Sequence, residues 1–156
     1  MKIIVTSGTG DGPTALAAFD AALLHAGVAH YNLIALSSII PPGSVIERSA
    51  YRAPPDAYGQ RLYVVLARCD QARPGHQAWA GIGWVQEPDS GQGLFVEVHG
   101  ASEARVHAAI TVTLTAMMGR RCRAYGPIGS AITGIACHAR PVCALVVAVY
   151  QSEGWA

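Results

Sequence analysis

The stretch YNLIALSSIIPPGS, Tyr31 to Ser44, runs as an apolar, strand-like segment until it meets two adjacent serines, Ser37 and Ser38, and then two adjacent prolines, Pro41 and Pro42. Proline gives no hydrogen bond to a sheet ladder, so the prolines alone would end the pairing, and one Ser or Asn would serve a turn. A pair of hydroxyls at the end of a buried strand asks for a chemical explanation beside the structural one. The flanking segments define its setting.

Upstream, KIIVTS at 2–7 is a compact β-branched run closed by GTGDGP. Pro13 suits the first turn of a helix from about Thr14 to Ala26, ended by Gly27. Downstream, RLYVVLARCD at 61–70, HQAWAGIGWVQE at 76–87 and GLFVEVHG at 93–100 read as strands joined by turn-rich links, an antiparallel meander. Val106, Ile110, Leu114 and Met117 then recur at helical spacing between Ser102 as N-cap and Gly119 as stop. GPIGSAITG at 126–134 reads as a loop, PVCALVVAVY at 141–150 as a final strand, and ERSAYRAPPDAYGQ at 47–60 as a long surface loop. One domain over residues 1–156 is expected, with helices packed on mixed or antiparallel sheets in an α+β sandwich.

The composition supports this. With 51% hydrophobic and 13% charged residues in 156, the chain can bury a sizeable core and is not disordered. Its formal net charge is +1, and the arginines are scattered apart from RRCR at 120–123, so nothing resembles a nucleic-acid footprint. That short basic run suits a helix C-terminus, where cations complement exposed carbonyls. Cys69, Cys122, Cys137 and Cys143 show no CxxC or Cys/His ligand spacing, and the six histidines suggest no metal site or triad. The opening MKIIVTSG has no signal-peptide pattern, so a reducing cytoplasm with free thiols is expected. Apolar runs such as VCALVVAVY fall short of the ~18 residues a membrane span needs, and no membrane partner is expected.

Three features invite a chemical reading. SGTGDGP stands between a strand and a helix, as phosphate-binding loops do, but Pro13 follows where a third glycine is wanted and no Gly-Lys-Ser/Thr is present. A tight strand-to-helix turn explains it better. Asp20 falls between Leu16 and Leu24 and beside Leu23, within the apolar stripe of its helix, so a partner is expected: backbone N–H groups, an arginine of the chain, or a cationic ligand. Glu97 alternates with Leu94, Val96 and Val98 and so shares a strand face with Phe95 and His99. It either points to water or sits in a partly apolar pocket as a usable proton donor.

Phe19-Asp20, Tyr31-Asn32, Ser37-Ser38-Ile-Ile-Pro-Pro and Gly93-Leu94-x-x-Glu97, in this order, resemble the pyruvoyl-dependent arginine decarboxylases. The resemblance implies a four-layer αββα sandwich and a homotrimer, or a multiple of it, with sites between subunits. It also implies self-cleavage between Ser37 and Ser38 into residues 1–37 and 38–156, with Ser38 as the attacking hydroxyl. Elimination from the resulting ester leaves dehydroalanine at 38, and its hydrolysis yields a pyruvoyl group, a ketone cofactor made from Ser38 itself.

By the same resemblance Asn32 stabilises the oxyanion formed during cleavage. The ketone takes up the α-amine of a small amino-acid substrate and accepts the electrons left by departing CO2, the work otherwise done by pyridoxal phosphate. Glu97 matches the acid that reprotonates the α-carbon, and Asp20 the carboxylate that receives the substrate guanidinium. The implied reaction is L-arginine to agmatine and CO2, without a metal. Two alternatives stand beside it: a pyruvoyl decarboxylase of another amino acid, and an uncleaved homologue serving as a binding or structural subunit.

Overall fold

The computed structural model describes residues 1–156, and its first strand, β1, extends over Lys2–Asp11, through the glycines that read as a loop. Packing explains the difference. A Cβ on Gly8 would stand 2.1 Å from the Ala22 carbonyl oxygen, and one on Gly10 would stand 2.5 Å from the Ala22 nitrogen. Bare backbone therefore lets helix α1, Ala15–Ala26, lie directly on the strand through Ala18, Ala22 and Ala26. The helix starts at Thr14, whose hydroxyl accepts from the Ala17 N–H, and stops at Gly27 in the left-handed region, φ +82°. The Gly27 end matches the sequence reading, whereas Pro13, expected in the first turn, lies just before the Thr14 cap.

Three short strands follow: β2 (Asn32–Ala35), β3 (Ile39–Ile40) and β4 (Val45–Arg48). The long β5 (Arg61–Gln71), β6 (Gln77–Gln86) and β7 (Gly93–Gly100) precede helix α2 (Glu103–Gly119), and β8 (Gly129–Ala136) and β9 (Val142–Glu153) complete the chain's elements. They form a five-stranded mixed sheet of order β2-β5-β9-β1-β4 and a four-stranded antiparallel sheet of order β3-β7-β6-β8. The expected meander is thus split. β6 and β7 pair, but β5 lies in the other sheet against β9, because the turn after Gln71 carries the chain across the sandwich.

The segment GPIGSAITG is also a strand over most of its length, not a loop. Two of its three glycines sit under cross-strand indoles: a Cβ on Gly129 would meet the Trp84 ring at 2.4 Å, and one on Gly134 the Trp79 ring at 2.2 Å. The glycines make room for the large rings opposite them.

The layers run α1, five-stranded sheet, four-stranded sheet, α2, which is the expected αββα order. β9 is buried on both faces and so reads as an unbroken apolar run. Cys143, Leu145, Val147 and Val149 pack under α1, while Val142, Ala144, Val146 and Ala148 meet Ile82, Phe95 and Val65 between the sheets. α2 closes the far side with Val106, Ile110 and Leu114 on Val85, Leu94 and Val96. Ser102 caps α2, and at its other end Arg121 Nη1 donates to the Met117 carbonyl at 3.0 Å, the role expected of the basic run. The four cysteines are free thiols, and no helix is long and apolar enough to cross a membrane.

Candidate active site

Ser38 lies where the chain leaves β2 in one sheet and enters β3 in the other. It is the single non-glycine residue with positive φ, +61°. A β-carbon is disfavoured there, and such a residue persists only where its surroundings hold it, at a cost of order 1–3 kcal/mol. The holding contacts are identifiable. Leu36 N–H donates to the Val64 carbonyl at 2.8 Å, and the Ser38 carbonyl accepts from Phe95 N–H at 2.8 Å. Ile39 and Ile40 pair with Leu94 and Gly93 of β7, and the Ile39 carbonyl accepts from the Tyr150 hydroxyl at 2.8 Å. The peptide bond between Ser37 and Ser38 is thereby clamped from both sheets in an unfavourable backbone conformation.

The hydroxyl of that serine is engaged as well. Ser38 Oγ donates to Glu97 Oε1 at 2.5 Å, a short, charge-assisted hydrogen bond. Glu97 reaches it because β7 alternates: Leu94 and Val96 face α2, whereas Phe95 and Glu97 face the other sheet. Phe95 fills the interior and Glu97, two residues on, comes out at the open edge. This agrees with the face assigned from the sequence.

Tyr150 is the residue that the sequence reading missed. It ends the inward-facing series Ala144, Val146, Ala148 on β9, and its ring packs edge-to-face on Phe95 with centroids 6.2 Å apart. Burial, and to a lesser degree the Glu97 charge, holds its hydroxyl well above the usual tyrosine pKa. Tyr150 is therefore a fixed neutral donor beside the serine. The signal available in the sequence was that period of two, which ends on a polar aromatic.

The other two predicted residues stand apart. Asn32 opens β2, and the four-residue step to Leu36 alone spans roughly 13 Å of extended strand. Its Nδ2 donates to the Gly59 carbonyl at 2.8 Å, facing away from the serine doublet. Asp20 is not in a buried stripe. The buried face of α1 is made of alanines, so Asp20 lies on the outer face, exposed between Leu16 (72% exposed) and Leu24 (53%). A helix and a sheet separate it from Glu97. Within one chain Ser37, Ser38, Glu97 and Tyr150 come together, and Asn32 and Asp20 do not join them.

The residues present suit a pyruvoyl group at position 38: a serine under backbone strain, a carboxylate on its hydroxyl, and a neutral donor on the next carbonyl. Comparison with known proteins points the same way. Residues 2–153 match the family described as pyruvoyl-dependent arginine decarboxylase. A protein of that description from Halobacterium salinarum is 44% identical over 98 residues, which cover 62% of this chain and 59% of the relative. One from Methanocella arvoryzae is 30% identical over 111 residues, 70% of this chain and 67% of the relative. One from Methanopyrus kandleri is 56% identical over 43 residues, 28% of this chain and 29% of the relative. The aligned part thus spans less than two thirds of the Halobacterium protein. The family match, by contrast, begins with the first strand and ends with the last, and on that ground the chain belongs to the pyruvoyl-dependent arginine decarboxylase family.

Proposed function

We propose that the protein cleaves itself between Ser37 and Ser38 and then decarboxylates L-arginine to agmatine and CO2. The observation that carries this reading is Ser38 at φ +61° with its hydroxyl on Glu97 at 2.5 Å. Ser38 Oγ attacks the Ser37 carbonyl carbon as Glu97 takes its proton, and the carbon–nitrogen bond then breaks as that proton passes to the Ser38 nitrogen, which leaves as a free amine and gives an ester in place of the amide. Relief of the strain at Ser38 favours this step. Loss of the Ser38 α-proton expels the Ser37 carboxylate and leaves dehydroalanine. Water then converts that residue to a ketone and releases ammonia.

The pyruvoyl group supplies an electron sink for decarboxylation. The chain supplies the rest. Glu97, already beside position 38, delivers a proton to the substrate α-carbon. Tyr150 fixes the Ile39 carbonyl and so the backbone that carries the group. Asp20 receives the guanidinium, which a planar carboxylate binds through paired hydrogen bonds, and Asn32 donates to the Ser37 carbonyl oxygen as it gains charge during cleavage.

Neither Asp20 nor Asn32 can reach Ser38 of its own chain, so in this reading a second copy supplies both. A homotrimer with its sites between subunits meets that requirement. The exposed Leu16 and Leu24 around Asp20, and Ile39 (55% exposed) beside Ser38, are the apolar surfaces such an assembly would cover. Denaturing mass spectrometry of the purified protein tests the proposal. Fragments of 37 and 119 residues are expected, the longer one blocked at its N-terminus, together with agmatine from arginine without added pyridoxal phosphate. A chain that stays intact after prolonged incubation refutes the cleavage and with it the activity.

A further inference from the structure

Arg61 stands directly opposite Asn32 on the first rung between β2 and β5. The chain after β9 folds over that rung. Arg61 Nη2 donates to the Gly154 carbonyl, and its guanidinium lies 4.8 Å from the centre of the Trp155 ring. Glu153 braces the same place, accepting from the Tyr63 hydroxyl at 2.6 Å and lying 3.4 Å from Arg61. Held in this way, Trp155 Nε1 donates to the Gly59 carbonyl at 2.8 Å. That oxygen also receives Asn32 Nδ2 at 2.8 Å.

A carbonyl oxygen has two lone pairs, and both are used here. The indole therefore fixes where the Gly59 carbonyl points, and this carbonyl fixes the Asn32 carboxamide. Gly59 needs such a tether: it sits at φ +78° at the end of the loop between β4 and β5, held otherwise by its N–H to the His30 carbonyl at 2.7 Å. With one Nδ2 hydrogen committed, exposed Asn32 has its second Nδ2 hydrogen free in a set direction. A preset donor is what stabilises a developing oxyanion, because no reorganisation is needed as charge appears.

We propose that Trp155 is a positioning residue for self-cleavage, acting through the Gly59 carbonyl to orient the Asn32 carboxamide toward the scissile carbonyl of a neighbouring copy. This rests on the role given to Asn32 above. The test is a time course of precursor disappearance, followed by denaturing mass spectrometry during refolding, for wild type, Trp155→Phe, Asn32→Ala and the double variant. Phenylalanine keeps an aromatic ring beside Arg61 and, though smaller, removes the N–H donor. Loss of one hydrogen bond of ordinary strength predicts about threefold to tenfold slower cleavage. The same substitution should have no further effect once Asn32 is alanine.

Wild-type speed in Trp155→Phe, with Asn32→Ala slow, overturns the inference and leaves the role of Asn32 standing. Wild-type speed in Asn32→Ala overturns both. Equal slowing by Trp155→Phe in either background also overturns it, since a general loss of stability would act that way. Where Trp155→Phe fails to fold, NMR of the uncleavable Ser38→Ala chain gives the decision. A slowly exchanging Trp155 indole N–H displaced from its random-coil position is expected, together with slowly exchanging Asn32 carboxamide protons, and a freely exchanging indole N–H at its random-coil shift overturns the proposal.

Discussion

Replacing Glu97 by Gln tests the hydrogen bond at the centre of the site. Glutamine keeps the length of the side chain and an oxygen to accept from Ser38 Oγ, but its amide cannot take up the proton. Because donor and acceptor already lie 2.5 Å apart, no movement is needed for proton transfer, and the whole contribution of a general base is at stake. That contribution is typically 10²–10⁴-fold, or about 3–5 kcal/mol of barrier at 1.36 kcal/mol per decade. Cleavage at Ser37-Ser38 should slow by at least about a hundredfold. The assay follows conversion of the 156-residue chain into its two fragments on denaturing gels, with circular dichroism to verify that the variant folds. Cleavage of Glu97→Gln at the wild-type rate would refute the reasoning and restrict Glu97 to the later protonation of substrate.

Three further outcomes are expected. Asp20→Asn should mature normally yet bind arginine at least about tenfold more weakly, because charge-assisted hydrogen bonds to a guanidinium are worth roughly 1.5–3 kcal/mol each; unchanged arginine kinetics would remove Asp20 from the site. Ser38→Ala and Asn32→Ala chains refolded together should produce cleavage that Asn32→Ala shows only slowly alone, since the first can lend its Asn32 to the serine of the second; no gain on mixing would rule out sites shared between copies. Glu87, hydrogen-bonded by Gln92, Arg123 and Ser90, has its pKa lowered to about 2 from an ordinary 4.5. Its folded-state pKa is depressed, so the stability it contributes is present above pH 4.5 and is lost as pH falls toward 2. Glu87→Gln should therefore flatten the fall in melting temperature across that window, and an unchanged slope would count against the cluster.

Helix boundaries were legible in the sequence because caps are local: Thr14, Gly27 and Ser102 each act through atoms within a few residues. Gly8, Gly10, Gly129 and Gly134 misled for the opposite reason. Each owes its place to something distant in sequence, an α1 backbone or a cross-strand tryptophan, and glycine alone does not tell a turn from a close approach. Asp20 was misplaced because the leucines of α1 suggested the buried face, while the glycines of β1 admit only alanines. Ser38 and Glu97 were legible as candidates, one from an unusual doublet and one from strand alternation. Their meeting was not, since it depends on β3 joining the edge of the other sheet. Tyr150 and Trp155 were missed because each donates to a backbone carbonyl distant in sequence, so neither partner has a residue type to look for; only the strand alternation ending on Tyr150 hinted at the first.

The bond proposed to break joins two sheets, and this determines what the cut protein would be. Residues 1–37 contain β1, α1 and β2; β1 lies between β9 and β4 and pairs with β9 over eight residues from Ile4 to Asp11. A nick at Ser37-Ser38 leaves that strand in place, so the matured molecule holds together as two interleaved polypeptides with no covalent link. Folding before the cut is a first-order search by one chain. Refolding after it is a second-order encounter of two, in which a strand must be threaded back between established neighbours. The melting midpoint of the matured protein should accordingly rise with protein concentration, and heating past it should be hard to reverse, whereas uncut Ser38→Ala lacks this particular barrier. Maturation would convert a fold that can be reached again from its sequence into one that depends on having been assembled beforehand.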